Sequence, residues 1–258
     1  HIKLVNALNK ENSNIRSTII PSLLKVVLDN VNNYNNINIF EVGHVVTGLD
    51  KNNLVTEGNR LGIVLYTKNS DTKTLLLNLK EILEYVINYE MNLNISVKPK
   101  TGTVEYYHPI NNYEVLANGV LLGEIAAVHP KVAGKIVGNS NIVVAELDFN
   151  KLIEIQADPV KFKEVPKFPI SEFDFSFIVP KGKLYGDIEQ IAKTLKCGLN
   201  FEIGFTDIFV ETNGTQVYTI NYKVWAPDHT PNTPELEKFH GSVIKLFEQN
   251  GILLKPIQ

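Results

Sequence analysis

The sequence predicts an α+β protein: a mostly antiparallel sheet with flanking helices, followed by a second, smaller domain of order βαββαβ. Three observations carry this reading. Residues 37–149 hold successive strand-like runs with few helical stretches between them. The segment ADPVKFKEVPKFP, Ala157 to Pro169, places three prolines in 13 residues and breaks both periodicities. Beyond it, apolar patterning alternates strand, helix, strand, strand, helix, strand. The boundary is placed after Ala157, giving domains 1–157 and 158–258.

The first element lies in SNIRSTIIPSLLKVVLDNV, where Ile20, Leu23, Leu24, Val27 and Val31 recur at helical spacing. Ser17 is expected to cap this helix. Pro21 falls in its first turn, where a missing N–H costs little. INIFEVGHVV (37–46) reads as a buried strand and LGIVLY (61–66) as another. TLLLNLKEILEYVINY is an amphipathic helix with Leu75, Leu79, Ile82, Leu83 and Val86 on its apolar face. NISVKP and TVEYYHP are read as two strands, and EVLANGVLLGEIAAV as a hairpin turning at Asn118-Gly119. A short helix begins near His129-Pro130, and IVVAELDF, Ile142 to Phe149, closes the set.

After the proline-rich segment, EFDFSFIVP alternates as a strand and LYGDIEQIAKTLK reads as a helix. FEIGFTDIFV and VYTINYKVW are strands joined by a turn at Asn213-Gly214. PELEKFHGSVIKLFEQN is a helix and ILLKPI a last strand. That order is the split βαβ of ferredoxin-like domains.

Composition narrows the function classes. The 258 residues are 44 % hydrophobic, enough for one large core or two smaller ones. A net charge of −3 supplies no global field for polyanions, so a nucleic-acid contact has to be local. The single cysteine, Cys197, excludes an internal disulfide framework, and no Cys/His cluster has zinc spacing. No apolar run is long enough to span a membrane, and a soluble, cytoplasmic protein is expected.

No P-loop, GxGxxG, GxSxG or HExxH occurs. Cys197 has no neighbouring histidine and reads as a small residue at a helix end. His108 and His129 each precede a proline; His129 is read as a capping or packing residue at a helix start, with anion binding the less favoured alternative. His229, in APDHTPNTPE, is expected to be solvated. Residues alone point to no catalytic and no metal site.

The blocks taken together are more telling. LVNALNKENSNIRSTIIPSLL followed by NIFEVGHVV resembles the phenylalanyl-tRNA synthetase β subunit, whose pattern there is valine-asparagine-proline, arginine-threonine-serine-leucine, then phenylalanine-glutamate-isoleucine-glycine. YYHPINNYEVLANGVLLGEIAAVHPKV resembles that family's later histidine-proline blocks, and VVAELDFNKL its closing strand. VPKFPISEFDFSFIV, FTDIF and PDHTPNTPELE resemble, in order, blocks of its C-terminal ferredoxin-fold anticodon-binding domain.

The resemblance implies a class II synthetase-like core, N-terminally truncated here, followed by the anticodon module. It implies a region of the β chain that supports ATP-dependent charging of tRNA(Phe) through assembly with α subunits in an (αβ)2 heterotetramer and through binding the anticodon stem-loop. ATP and magnesium would serve the intact enzyme, with no cofactor bound by this region. Class II chemistry needs arginines for the ATP phosphates. No arginine follows Arg60 and no glycine-rich motif ends in glutamate-arginine, so this region is expected to be catalytically silent. Arg16 is then a structural residue, pairing with carbonyls or a carboxylate before the first helix.

The family's anticodon contacts map onto Asp207, an acceptor for a guanine edge, and onto Phe209, a ring standing where the family has tyrosine. Its lysine-serine falls on Gln216-Val217, and its final leucine-arginine on Leu254-Lys255. Its arginine-aspartate falls on Phe173-Asp174, leaving Asp174 a structural role. From Lys161 onward there are 11 lysines, 12 acidic residues and no arginine, so phosphate contacts depend on a lysine patch, with Lys167, Lys181, Lys183 and Lys255 as candidates. The lost arginine and serine positions favour an alternative: a degenerate paralogue serving as a protein-interaction or regulatory module without tRNA binding.

Overall fold

A computed structural model describes residues 14–100, 102, 104–138, 140–157, 159–160 and 165–256. The start of the first resembling block (4–13), and residues 158 and 161–164 of the proline-rich connection, lie outside the described residues. The chain divides into two compact units, His1–Lys161 and Phe162–Gln258, a few residues beyond the boundary expected after Ala157.

The first unit runs α1 (Ile20–Asn30), β1 (Asn36–Leu49), β2 (Val55–Thr67), α2 (Thr72–Glu84), β3 (Ile95–Pro99), β4 (Tyr107–Ala117), β5 (Val120–Val128), α3 (Pro130–Ile136), β6 (Asn141–Asp148) and α4 (Phe149–Glu154). Its strands form one antiparallel sheet in the order β1-β2-β6-β5-β4-β3. On one face Val64, Ala126 and Val144 pack with Ile20, Leu24 and Val27 of α1. On the other, Leu65, Ala127 and Val143 pack with Leu75, Leu79 and Leu83 of α2. Burial on both faces is why β6 reads as a nearly continuous apolar run.

Three local expectations change. Ser17 does not cap α1. The helix starts at Ile20 behind Thr18, whose hydroxyl accepts the Ile20 N–H at 3.2 Å. The Glu146 carboxylate of β6 accepts the Ile19 N–H at 2.7 Å and the Thr18 hydroxyl at 2.8 Å. A buried helix start needs acceptors, and a carboxylate on the neighbouring strand supplies them.

The buried face of α2 is Leu75, Leu76, Leu79 and Leu83, whereas Ile82 and Val86 are 40 % and 38 % exposed. A π-helical turn, Tyr85–Glu90, follows and carries Ile87 inward, because its wider turn shifts the phase of the stripe.

TVEYYHP is not a separate strand. β4 begins at Tyr107 and continues to Ala117 with a register break between Tyr107 and Asn112. At the break His108 Nδ1 accepts the N–H groups of Ile110 and Asn111, each at 3.1 Å. The β4–β5 hairpin turns on Asn118 and Gly119, both at positive φ (46° and 79°), with Ala117 opposite Val120. His129 caps α3 by accepting the Lys131 N–H at 3.2 Å. The short α4, which periodicity does not reveal, is capped by Asp148 accepting from Lys151 N–H.

The second unit runs β7 (Ser171–Val179), α5 (Tyr185–Lys193), β8 (Asn200–Val210), β9 (Gln216–Trp225), α6 (Thr233–Gln249) and the two-residue β10 (Leu253–Leu254). The sheet order is β10-β7-β9-β8, with every neighbouring pair antiparallel. Ile188 and Ala192 of α5 and Phe239, Val243 and Phe247 of α6 pack on Phe175, Phe177, Ile220 and Tyr222. The Phe177 and Phe247 rings stack at 3.9 Å between centroids. Each such buried ring stabilises the unit by about 1.5–3 kcal/mol. Both helices cover one face of this sheet.

Candidate functional site

The other face of the four-stranded sheet carries polar residues at the alternating positions. On β7 these are Glu172, Asp174 and Ser176, and on β9 Thr219, Asn221 and Lys223 lie opposite them. Ser176 and Thr219 share a hydrogen bond at 2.9 Å, and Asn221 donates to Asp174 at 2.9 Å.

A bulge in β8 decides which of its residues join them. Phe201, Ile203 and Phe205 oppose Val224, Tyr222 and Ile220, so they belong to the helix side, and the Phe205 ring meets Tyr185 of α5 at 4.8 Å. In a regular strand Asp207 and Phe209 would follow onto that side. The register shifts between Phe205 and Asp207, leaving Thr206 as the extra residue. Asp207 then opposes Thr219 and Phe209 opposes Val217, both on the open face. Thr206 itself points there, its hydroxyl 3.4 Å from Asp174 Oδ1.

Lys255, just past β10, reaches the same face from the opposite edge. Its Nζ lies 5.6 Å from the Phe209 ring centroid and 3.0 Å from Glu211 Oε1. Asp174, Asp207, Phe209 and Lys255 are thus brought together. Lys167 lies ahead of β7, off the sheet, and Lys183 donates to the Asn250 carbonyl at the end of α6. The expected lysine patch is therefore not gathered in one place. Lys223, the second cation of the open face, pairs with Glu172 at 3.7 Å.

Arg16 donates from Nε to the His44 carbonyl at 2.9 Å and pairs with Glu41 at 2.9 Å. A Cβ on Gly43 would stand 2.6 Å from its guanidinium, so that bare glycine lets the pair lie flat on β1. His229 is not simply solvated. Its Nδ1 lies 2.8 Å from Asp228 and its Nε2 3.0 Å from Glu235, and hydrogen bonds to Glu235 and then Asp228 raise its pKa above the ordinary 6.5. Glu235 also accepts the Asn232 N–H at 2.9 Å, closing a capping box at the start of α6. Burial raises the Cys197 thiol above its ordinary value, the opposite of an activated nucleophile.

The first unit holds a cleft of about 230 Å³ lined by Arg60, Tyr106, Glu124, Glu146, Asp148 and Lys151, among others. Arg60 pairs with Asp148, and Lys100 with Glu124. Burial pushes the Asp148 carboxyl up, but Arg60 and the Lys151 N–H outweigh it and leave the pKa below the ordinary value. The three carboxylates of the lining, Glu124, Glu146 and Asp148, outnumber its two cations, Arg60 and Lys151, and Arg60 is already paired. Triphosphate binding calls for the reverse balance. Among the described residues, no group of three His, Cys, Asp or Glu side chains could hold a metal ion, and no helix is long and apolar enough to cross a membrane.

The profile of the phenylalanyl tRNA synthetase beta chain CLM domain matches residues 1–149. The chain belongs to this family. Among curated relatives, the phenylalanine–tRNA ligase beta subunit of Clostridium tetani is 26 % identical over 256 residues, covering 96 % of this chain and 31 % of that one. The beta subunit of Bdellovibrio bacteriovorus is 27 % identical over 253 residues, covering 92 % and 30 %. That of Bacillus subtilis is 25 % identical over 252 residues, covering 93 % and 31 %. The chain therefore spans less than a third of the length of these synthetase β subunits. Its matches to them continue through the second unit, beyond the residues of the CLM profile. The solved pyrrolysyl tRNA synthetase of Desulfitobacterium hafniense is similar at TM-score 0.43 and 15 % identity over 54 % of this chain and 48 % of that one, too slight a likeness to carry an argument.

Sequence reasoning missed Glu211, Thr206 and Asn221. Glu211 stands two residues before the Asn213-Gly214 turn, and that spacing is the one signal that could have placed it at the end of the sheet. A bulge leaves no mark in composition.

Proposed function

We propose that the chain is the C-terminal region of a phenylalanine–tRNA ligase β chain, contributing subunit assembly and anticodon stem-loop binding to the ATP-dependent aminoacylation of tRNA(Phe). The first unit is a class II synthetase-like core that performs no catalysis. It packs with α subunits in an (αβ)2 heterotetramer, in the cytoplasm, while ATP and magnesium act elsewhere in the intact enzyme. The second unit is a ferredoxin-fold anticodon-binding domain, a reading supported by the order β10-β7-β9-β8 with both helices on one face.

One observation carries the RNA reading. The Thr206 bulge sets Asp207 and Phe209 on a helix-free sheet face within reach of Lys255. A carboxylate can accept from a guanine edge, an exposed ring can stack a splayed base, and an ammonium can meet a phosphate. Binding of the chain to tRNA(Phe) at low and moderate salt, beside Asp207→Ala and Lys255→Ala, is the test. Both variants should bind more weakly than wild type, and equal binding by all three proteins would remove the site assignment.

A second reading, a family member acting as a protein-interaction or regulatory module without tRNA binding, is favoured by the pairing of both open-face lysines with carboxylates. Co-purification separates the two. An α subunit with tRNA(Phe) supports the ligase role, and an unrelated protein partner supports the second reading.

A further inference from the structure

Among the described residues, the one cation that reaches Phe209 is already occupied. The Lys255 ammonium sits 3.0 Å from Glu211 Oε1 and 5.6 Å from the Phe209 ring centroid. The Lys255 N–H, donated to the Ser176 carbonyl at 2.8 Å, holds the root of the side chain at β7. Between these anchors lies β9. On β9 Val217, opposite Phe209, is only 4 % exposed. The side chain is thus held from its backbone at β7 to its ammonium beside β8, whereas the Phe209 ring remains 56 % exposed.

Two anions can claim that ammonium. Glu211 holds it in an ion pair that solvent partly screens, worth little in affinity terms. An RNA phosphate offers the same charge and releases condensed counterions as it binds. In either state the ammonium can remain over the aromatic ring. The rest of the face opposes phosphate, since Glu172, Asp174, Glu202 and Asp207 stand there with, among the described residues, only Lys223 as a further cation, and that lysine is paired.

We propose that Glu211 is a built-in competitor of RNA phosphate, holding Lys255 across the sheet in the free protein and yielding it when a nucleotide places its phosphate on Lys255 and its base on Phe209. This rests on the reading of the open face as an RNA-loop site. It makes Glu211 a selectivity element: a polyanion that offers no base to stack gains little by displacing the carboxylate, whereas a splayed nucleotide gains both contacts.

Glu211→Gln removes the charge and keeps the side chain's length. The probe is the anticodon stem-loop RNA of tRNA(Phe) carrying 2-aminopurine in its loop, titrated against the 258-residue chain. Glu211→Gln is expected to bind about threefold tighter than wild type. Its salt slope between about 50 and 200 mM should equal that of wild type, because Lys255 meets a phosphate in both complexes, and should exceed that of Lys255→Ala by about 0.7, the share of one phosphate contact on a single strand. The double variant Glu211→Gln/Lys255→Ala should bind no better than Lys255→Ala alone. Glu248→Gln, which removes the same charge from α6, should match wild type.

If wild type binds but Glu211→Gln does not bind tighter, the competitor role is wrong while the RNA reading stands. The competitor role is equally wrong if the gain survives in the double variant or appears in Glu248→Gln. If neither wild type nor Glu211→Gln binds the RNA, the reading of the face fails and takes this proposal with it.

Discussion

Glu146 of β6 accepts the backbone N–H of Ile19, 127 residues earlier, at 2.7 Å, and so fixes where α1 begins. The same carboxylate takes the Thr18 hydroxyl at 2.8 Å. Hydrogen bonds to a charged acceptor contribute about 1.5–3 kcal/mol each. Glu146→Ala is expected to destabilise the α1 end of the first unit by about 2 kcal/mol, and Glu146→Gln, which keeps a neutral acceptor, by about 1 kcal/mol. Hydrogen exchange of the α1 amides reads this directly. Unchanged protection in the alanine variant would mean that Thr18 alone closes the helix end.

Gly62 lies opposite Glu146 on β2, and a Cβ there would come within 2.7 Å of Ile19 and 2.8 Å of Leu23. Those contacts are side-chain carbons, so Gly62→Ala should cost about 1–3 kcal/mol as α1 shifts outward. Gly123→Ala is the harsher change, because its Cβ would meet the Glu146 carbonyl oxygen at 2.0 Å, in backbone that has no room to move. Gly134, inside α3 with open space around it, should tolerate alanine and gain about 0.4–1 kcal/mol. Denaturation midpoints should therefore rank Gly134→Ala, wild type, Gly62→Ala, Gly123→Ala, from highest to lowest; a Gly62→Ala midpoint at or above that of wild type would mean that α1 does not seat on β2 as described.

His229 links the loop before α6 to its capping box. Its folded pKa is raised, so its contribution is fully present below the unfolded value near 6.5 and is lost as pH rises through the folded value. Glu235 behaves oppositely: the Asn232 N–H first, and then His229, lower its pKa, so its contribution is lost as pH falls below the ordinary 4.5. The second unit should be most stable between these limits. Trp225, the only tryptophan, reports on this unit alone, and urea midpoints by its fluorescence should decline on the alkaline side. His229→Gln should abolish that decline while leaving the acid limb; a decline that persists would place the titration elsewhere.

Thr206 is the extra residue of the β8 bulge. Its deletion leaves a regular ladder with Asp207 still opposite Thr219, so Asp207 and Phe209 keep the open face. The deletion should fold with a urea midpoint near that of wild type and, on the proposed reading of this face, bind the anticodon stem-loop RNA as wild type does. A protein that loses RNA binding while remaining folded would show that the bend of the bulge, and not only the face, is needed.

Periodicity made most of the elements legible. The alternation of EFDFSFIVP and VYTINYKVW marks strands whose alternate residues meet α5 and α6, and Asn118-Gly119 marks the turn where two consecutive residues adopt positive φ. These are local effects, decided by neighbours in the chain. The ordered blocks likewise carried the family resemblance, to which the comparisons gave substance over residues 1–149.

Tertiary structure decided the rest, wherever a distant partner outweighed a local preference. Ser17 had the chemistry to cap α1, but the packing of α1 on β2 and β6 brought Glu146 to the helix start instead. Ile82 and Val86 had helical spacing, but the π-helical turn sent Ile87 inward in their place. Above all, the residues FTDIF name their side chains without saying which way they face. The sheet register, set by β9 across a bulge, turned Asp207 and Phe209 away from the helices, because the strand's two-residue period changes phase when one residue is left unpaired.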